Sequence, residues 1–370
     1  MTTAWSARDL AAIADCPVAY APVIAPEAVR KILPGYDLWD HWPVQECDGR
    51  TAEIAGGALH MLLCAPALGD PEERHALARI RLMHHTAEGW RDLGNLFSDG
   101  FSPGSREWSG SAIVSADHDR VTVYFTAAGH RGEIAISFDQ RLFASSAPLD
   151  IAGGLPRLGP WTAPWELVAP DGVIYAREMR GGQQIGTIKA FRDPAWFRDP
   201  CDGADYLLFA ASDAHSSSPW NGIVGLARRE DDTWTLQPPL ISADGVNNEL
   251  ERPHLVHYAS RYYCFWSTQR KVFATGVTAG PNGLYGMVAD RMDGPWAPLN
   301  GAGLVFANPP EGPIQAYSWQ VLHDLSVIGF VDRPGLLVEP TDPALARRHF
   351  GGTPAPVLRL ALDNDRAMLA

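Results

Sequence analysis

Apolar residues along this chain come in short runs rather than in the i, i+3, i+4 spacing of a helix. The runs fall at 52–64, 76–84, 111–115, 120–127, 132–138, 184–191, 205–211, 222–228, 255–268, 284–289 and 326–332. Many are rich in β-branched or aromatic residues and are bounded by Gly, Pro, Asp or Asn, which predicts strands. The start differs. Ser6 precedes Ala7-Arg8-Asp9-Leu10-Ala11-Ala12-Ile13-Ala14 and is placed to N-cap a short helix. Residues 1–30 therefore read as a helical extension. No shift in composition marks a linker, so 1–370 reads as one domain. Short strands with Gly/Pro turns predict an all-β sandwich, barrel or propeller. No WD, kelch or heptad repeat narrows the choice.

Gly 35 plus Pro 30 makes 65 of 370 residues, above the usual combined share of roughly 12%. That excess fits a chain cut into many short elements by turns. Acidic residues outnumber basic ones, 43 to 30, for a net charge of -13. This balance argues against a nucleic-acid partner, which needs clustered Lys and Arg against phosphate. No run of about 18 apolar residues is present, so no membrane partner is expected through a spanning helix. The stretch from Met1 to Asp9 lacks a basic segment followed by an apolar core, so no cleaved signal peptide is visible. Cys16, Cys47, Cys64, Cys201 and Cys264 form no CxxC pair, which excludes a disulfide framework and a CxxC-type zinc site. Buried free thiols are expected.

Four clusters carry candidate chemistry. In Leu38-Trp39-Asp40-His41-Trp42-Pro43 an Asp is held between indoles, a frame that suits an oriented, partly desolvated nucleophile. In Glu107-Trp108-Ser109-Gly110-Ser111, Trp108 offers a stacking face and Ser109 a hydroxyl donor. In Phe191-Arg192-Asp193-Pro194 an apolar strand ends in a charged pair, with a second Arg-Asp-Pro at Arg198-Asp199-Pro200. In Asn247-Asn248-Glu249-Leu250-Glu251-Arg252-Pro253-His254, Glu249 and Glu251 share one face of an extended chain. Crowded carboxylates raise at least one pKa, as a general acid requires. Each cluster also has a plain structural reading: an aromatic core, a turn, a surface ion pair, a solvated loop. Together they hold the inventory of a retaining glycosidase, one carboxylate to attack and one carboxylic acid to protonate the leaving oxygen.

Trp-Asp-x-Trp-Pro, Glu-Trp-Ser-Gly-Ser, Arg-Asp-Pro and Glu-Arg-Pro-His, in this order from about Tyr36 to about Tyr317, resemble glycoside hydrolase family 68. The Glu-Arg-Pro-His form is similar to that of its Gram-negative, non-calcium branch. The resemblance implies a five-bladed β-propeller with a central funnel. The spacings between Asp40, Trp108, Asp193, Glu251 and Tyr317 are 68, 85, 58 and 66 residues, against an average of 74 for five blades in 370 residues. It also implies a levansucrase-type enzyme that splits sucrose and passes fructose to sugar acceptors or water. By motif, Asp40 is the expected nucleophile, Glu251 the acid/base and Asp193 the transition-state stabiliser. Trp39, Trp108 and Ser109 would line the fructosyl pocket. Arg192 and Glu249 would hold the glucosyl group, and Arg252, Gln269 and Tyr317 complete the expected substrate contacts. No metal and no cofactor are expected.

The departures bear on product and metal. Relatives usually carry Ser-His-Arg where this chain has Thr268-Gln269-Arg270, and Gln269 replaces an imidazole at the acceptor border. A shift toward hydrolysis or short oligosaccharides is expected. Ala210 follows Phe209 where Glu is common, and Asn247 and Asn248 stand where a calcium-binding branch has an acidic residue. A hard Ca²⁺ site is disfavoured by the missing carboxylate. The alternatives are a hydrolysis-dominant β-fructofuranosidase and a non-catalytic sugar-binding propeller. Secretion without a cleaved signal is the expected location, with the cytoplasm as the alternative.

Overall fold

The computed structural model describes residues 2–177 and 185–370. They form antiparallel meanders in four hydrogen-bonded sheets. The nine-stranded sheet holds Tyr36–Gln45, Gly57–Pro66, Arg79–Thr86 and Gly89–Asn95, then Arg106–Val114, Arg120–Ala128, Gln140–Ala152 and two short strands. Its two runs meet through a brief parallel contact, Val44 opposite Ala112 and Gln45 opposite Ile113. The second sheet holds Phe191–Arg198, Asp205–Ser212, Gly222–Glu230 and Thr233–Ser242. The third holds Glu251–Tyr258, Arg261–Thr268 and Gly283–Ala289, with Ala297–Pro298 and Leu304–Ala307. The fourth holds Ala316–Val321, Ser326–Val331, Leu358–Asp363 and Arg366–Leu369, with Thr353–Pro354. Five strands, Tyr36–Gln45, Arg106–Val114, Phe191–Arg198, Glu251–Tyr258 and Ala316–Val321, lie side by side in that order, and the last lies beside the first.

The core occupies the space between the two runs of the nine-stranded sheet, where Trp42, Leu63, Val123 and Phe125 belong to one cluster, and the spaces between sheets successive in the chain. Tyr124, Leu142, Phe191, Phe209 and Ile223 pack between the first and second. Leu226, Cys264, Trp266 and Met287 pack between the second and third, and Val256, Phe265, Trp319 and Val327 between the third and fourth. Strands buried on both faces read as continuous apolar runs, and Gly283–Ala289 is buried throughout.

Several expectations need correction. Residues 132–138 form no strand, and of 184–191 only Phe191 is in one, with Gln184 outside the described residues. The run 255–268 is the end of one strand and all of another, joined by a turn in which Ala259 and Ser260 have φ of 49° and 64°. Positive φ at both central turn residues matches the right-handed twist of a hairpin. The strand Tyr36–Gln45 was hidden by Asp37, Asp40 and His41, polar residues held inside the protein or at its cavity. The helix Ala7–Ala11 has its capping box, with Ser6 N–H donating to Asp9 at 2.7 Å, but ends in a 3-10 turn at Ala12–Asp15. The N-terminal extension is only partly helical: Thr3–Ala4 pairs in parallel with Ile241–Ser242, and Trp5 is fully buried. A second helix, Pro343–His349, starts at an Asp342 cap with Pro343 following it. All five cysteines are free; Cys64 and Cys264 are buried, Cys16 is half-buried, and Cys47 and Cys201 are exposed. No helix among the described residues is long and apolar enough to cross a membrane.

Candidate active site

Each of the five ring strands carries one extra residue relative to its partner. Trp39-Asp40 oppose Leu63, Asp193-Pro194 oppose Phe209, Arg252-Pro253 oppose Trp266 and Ser318-Trp319 oppose Gly329. Ser109 is the insertion between the Trp108–Thr126 and Gly110–Phe125 pairs. A β-bulge breaks strict alternation and re-aims the side chain that carries it. Proline is tolerated at two of these sites because a bulge leaves an N–H without a ladder partner. Asp193, Arg252 and Ser318 sit at φ of 62°, 49° and 59°. Left-handed backbone costs a non-glycine residue on the order of 1–3 kcal/mol, so the surrounding contacts must hold it.

Four of the five bulges border a cavity of about 230 Å³, which the fifth strand reaches through Tyr317, and every site residue the family resemblance implied lies on its wall: Trp39, Asp40, Trp108, Ser109, Arg192, Asp193, Glu249, Glu251, Arg252, Gln269 and Tyr317. Asp40 Oδ2 accepts a 2.5 Å bond from Ser109 Oγ, which fixes one carboxylate oxygen. The Asp193 N–H donates to Thr126 Oγ1 at 2.9 Å, and its Oδ2 accepts from the Arg252 N–H at 3.2 Å. Arg192 Nη2 lies 2.5 Å from Glu249 Oε1 and 3.0 Å from Glu251 Oε1, and Arg192 Nε lies 3.6 Å from Asp193 Oδ2. The third and fourth sequence clusters thus meet on one guanidinium.

Burial opposes the Arg192 charge, but Glu249, Glu251 and Asp193 outweigh it and hold the proton tightly. Burial first, then the neighbouring Glu249 charge, pushes Glu251 well above the ordinary carboxylate range against the pull of Arg192. Burial, opposed by Arg192 and reinforced by Asp40, raises Asp193 to about 6. A carboxyl biased toward its protonated form thus shares the cavity with another anchored by a serine, the two kinds of group that acid-assisted nucleophilic displacement needs. The Tyr317 hydroxyl, buried next to Glu251, makes no hydrogen bond of good geometry among the described residues.

The Arg252 side chain, though on the cavity wall, is bonded within the protein: Nη1 donates to Ser318 O and Oγ, both at 3.1 Å, and Nη2 to His41 O at 2.8 Å and Gln320 Oε1 at 2.7 Å. Asp199 lines a separate cavity with Trp196 and His257, and it accepts from Tyr262 Oη at 2.6 Å and the Cys201 N–H at 2.9 Å. Asn247 and Asn248 are fully buried. Asn248 Nδ2 donates to Pro219 O at 2.7 Å, and Asn247 Nδ2 to Thr268 Oγ1 at 3.0 Å. Ala210 pairs with Arg192 across the strands, so a carboxylate there would have been another neighbour of that guanidinium.

The sequence reading missed the cavity rim: Glu72, Arg74, His75, Lys271, Asp332 and Arg333. Arg74 lies 5.5 Å from the Trp39 ring centre, and Arg333 bonds Glu339 at 2.8 Å and also Glu72. The signal for two of them was present. Asp332-Arg333-Pro334 follows an apolar strand just as Arg192-Asp193-Pro194 begins one end of another.

Carboxylates set by bulges on the inner strands of curled β-sheets, under an aromatic and charged rim, define an all-β protein of glycosidase type. A family model described as Levansucrase/Invertase matches residues 1–222 and 213–370, and the chain belongs to glycoside hydrolase family 68. The levansucrase LscA of Pseudomonas savastanoi pv. glycinea is 29% identical over 411 residues, covering 99% of this chain and 94% of that protein. LscB of the same organism is 30% identical over 375 residues, covering 90% and 82%. The solved inulosucrase from Halalkalicoccus jeotgali bound to kestose has a TM-score of 0.89 at 36% identity, covering 100% of this chain and 95% of that one.

Proposed function

We propose that this chain is a retaining, sucrose-cleaving fructosyltransferase, folded as a five-bladed β-propeller. In that reading the nine-stranded sheet is two blades joined at Val44 and Ala112, and the five ring strands are the innermost strand of each blade. The observation that carries the function is the meeting of Asp40, Asp193 and Glu251 on one cavity wall in a family 68 chain.

Asp40, with one oxygen held by Ser109, attacks the fructosyl anomeric carbon. The bond to the glycosidic oxygen breaks as Glu251 gives its proton to the departing glucose. Asp193 stabilises the positive charge that develops on the fructosyl ring. An acceptor hydroxyl, sugar or water, then attacks the same carbon, loses its proton to Glu251 and frees Asp40. Trp39 and Trp108 supply apolar walls for the fructosyl unit, and Arg192 with Glu249 binds the glucosyl unit. A non-catalytic sugar-binding propeller has no use for a buried carboxyl kept protonated beside a serine-anchored carboxylate.

Gln269 favours a secondary reading in which water competes well for the fructosyl-enzyme. It lies on the cavity wall just ahead of the turn Arg270–Val272, and no cap hydrogen bond from its side chain fixes it there. Incubation with concentrated sucrose, assaying free glucose and free fructose separately, tests both readings. Glucose in excess over fructose is the expected result and signifies transfer. Equal amounts signify hydrolysis, and the absence of both sugars overturns the proposal.

A further inference from the structure

Asp193, Arg252 and Ser318 are the three ring-strand residues held in left-handed backbone, and all three belong to one hydrogen-bonded unit. The Arg252 N–H bonds the Asp193 carboxylate, and the Arg252 guanidinium bonds the Ser318 carbonyl and hydroxyl. The same guanidinium reaches the carbonyl of His41, the residue after Asp40, and the amide of Gln320. His254 completes the unit. Its Nε2 accepts from the Val321 N–H at 2.8 Å, which leaves Nδ1–H to donate to Arg252 O at 2.8 Å. Burial keeps this imidazole neutral, in agreement with one accepting and one donating nitrogen. His41 Nε2 bonds Gly329 O at 3.1 Å, opposite the Ser318 bulge.

We infer that Arg252 is a positioning residue for the reaction. One buried side chain fastens the strands of Asp40, Glu251 and Tyr317 to each other, and its main chain fixes Asp193. A strand is free to slide or twist by a fraction of an ångström against its neighbours unless something spans the gap. Displacements of about 1 Å cost on the order of 100-fold in rate. A planar guanidinium with donors in fixed directions sets three strands at once, which the single ammonium of lysine cannot do. Arg252 touches no reacting atom in this scheme.

The inference rests on the catalytic roles proposed for Asp40, Asp193 and Glu251, so wild-type enzyme is assayed on sucrose in parallel. Turnover by wild type with unaffected variants overturns only the positioning role, and no turnover by wild type overturns the catalytic reading. In Arg252→Lys, kcat should fall at least about tenfold while KM for sucrose changes less than about threefold. In Arg252→Met the loss should be larger. The acid limb of kcat/KM should also move to higher pH, because Asp193, which faces Arg192, Asp40 and Glu251, loses a nearby positive charge. A ligand-binding fork would raise KM at constant kcat, and a purely structural residue would lower the active fraction without moving the limb; either result overturns the inference. If Arg252→Met does not fold, Gln320→Leu decides. It removes one anchor at the edge of the unit and should lower kcat severalfold at constant KM; unchanged kcat overturns the inference.

Discussion

A carboxyl group that gives up a proton at neutral pH must first have a reason to keep it. Glu251 has three, burial, the Glu249 charge and the Asp193 charge, and all act against Arg192. Asp193 is raised to about 6 by burial against Arg192 and Arg252, with Asp40 adding to the rise. The proposed mechanism needs Asp193 ionised and Glu251 protonated. The kcat/KM profile should therefore be bell-shaped, with an acid limb near pH 6 and an alkaline limb well above the ordinary carboxylate range. An alkaline limb near pH 4.5 would sink this assignment. The two Arg-Asp-Pro sequences separate by the same logic. Asp193→Asn should lower kcat/KM by about 100-fold or more, by analogy with removal of a transition-state stabiliser. Asp199→Asn weakens bonds to Tyr262 and Cys201, so it should lower the melting temperature and leave kcat within about threefold. Rates and melting curves of the pair check both. At this scale the cavity-lining residues were legible because the motifs are local. The bonds of Arg252 were not legible, since its partners His41 and Ser318 are distant in sequence and no spacing rule reveals them.

Elements were legible where burial made them uniformly apolar, as at Gly283–Ala289, and illegible where function put polar residues inside. The strand Tyr36–Gln45 is the sharpest case: its Asp37 is fully buried and forms a two-bonded ion pair with Arg347 at 2.6 and 2.9 Å, a partner on the unforeseen helix Pro343–His349. The bulges were invisible for a related reason, since an extra residue is defined by the partner strand. Two loop predictions belong here. Gln269→His restores an imidazole at the cavity wall and should lengthen the sugar products seen by chromatography at fixed sucrose. An unchanged distribution would remove Gln269 from the acceptor side. Asn248 uses its amide as a donor to Pro219 O and as an acceptor from the Gly186 N–H. Asn248→Asp cannot donate, so it should destabilise the fold by about 1–3 kcal/mol in a denaturant titration. Activity of the parent should survive EDTA; loss reversed by Ca²⁺ would contradict this use of the two asparagines.

Over the whole molecule, buried titratable groups pull in opposite directions as pH falls. His41 and His254 are lowered to about 4, His75 to about 3 and His60 well below the ordinary value, all chiefly by burial, so the unfolded chain takes up protons first below pH 6.5 and stability is lost on acidification. Asp193 and Asp332 are raised to about 6, Glu107 to about 7 and Glu251 further still, chiefly by burial, so the folded chain takes up protons first and stability is gained over the same range. The two sets offset each other between about pH 6.5 and 4.5. Glu72, lowered to about 2 by Arg74, His75 and Arg333 despite burial, contributes stability that is lost only in stronger acid. The melting temperature should therefore stay nearly level across that window while turnover falls with the protonation of Asp193. A melting temperature that drops in step with turnover would show that acid inactivation is unfolding. The all-β class was readable from composition and turns, and the family resemblance from four motifs in order along the chain. The sheet order was not, because it depends on contacts such as Thr3–Ala4 against Ile241–Ser242 that join segments far apart in the chain.

The bulges also divide what can change from what cannot. The carboxylates at the cavity floor owe their aim to main-chain register, which no single side-chain substitution elsewhere rewrites. The rim around Glu72, Gln269, Lys271 and Arg333 comes from turns and side chains and is free of that constraint. Variation can accumulate at the mouth, altering which acceptor is received and how long a product grows, while the bond-breaking step is inherited intact. A randomised library confined to the rim should thus yield mostly active enzymes with diverse products, whereas one-residue insertions or deletions in the five ring strands should yield almost none.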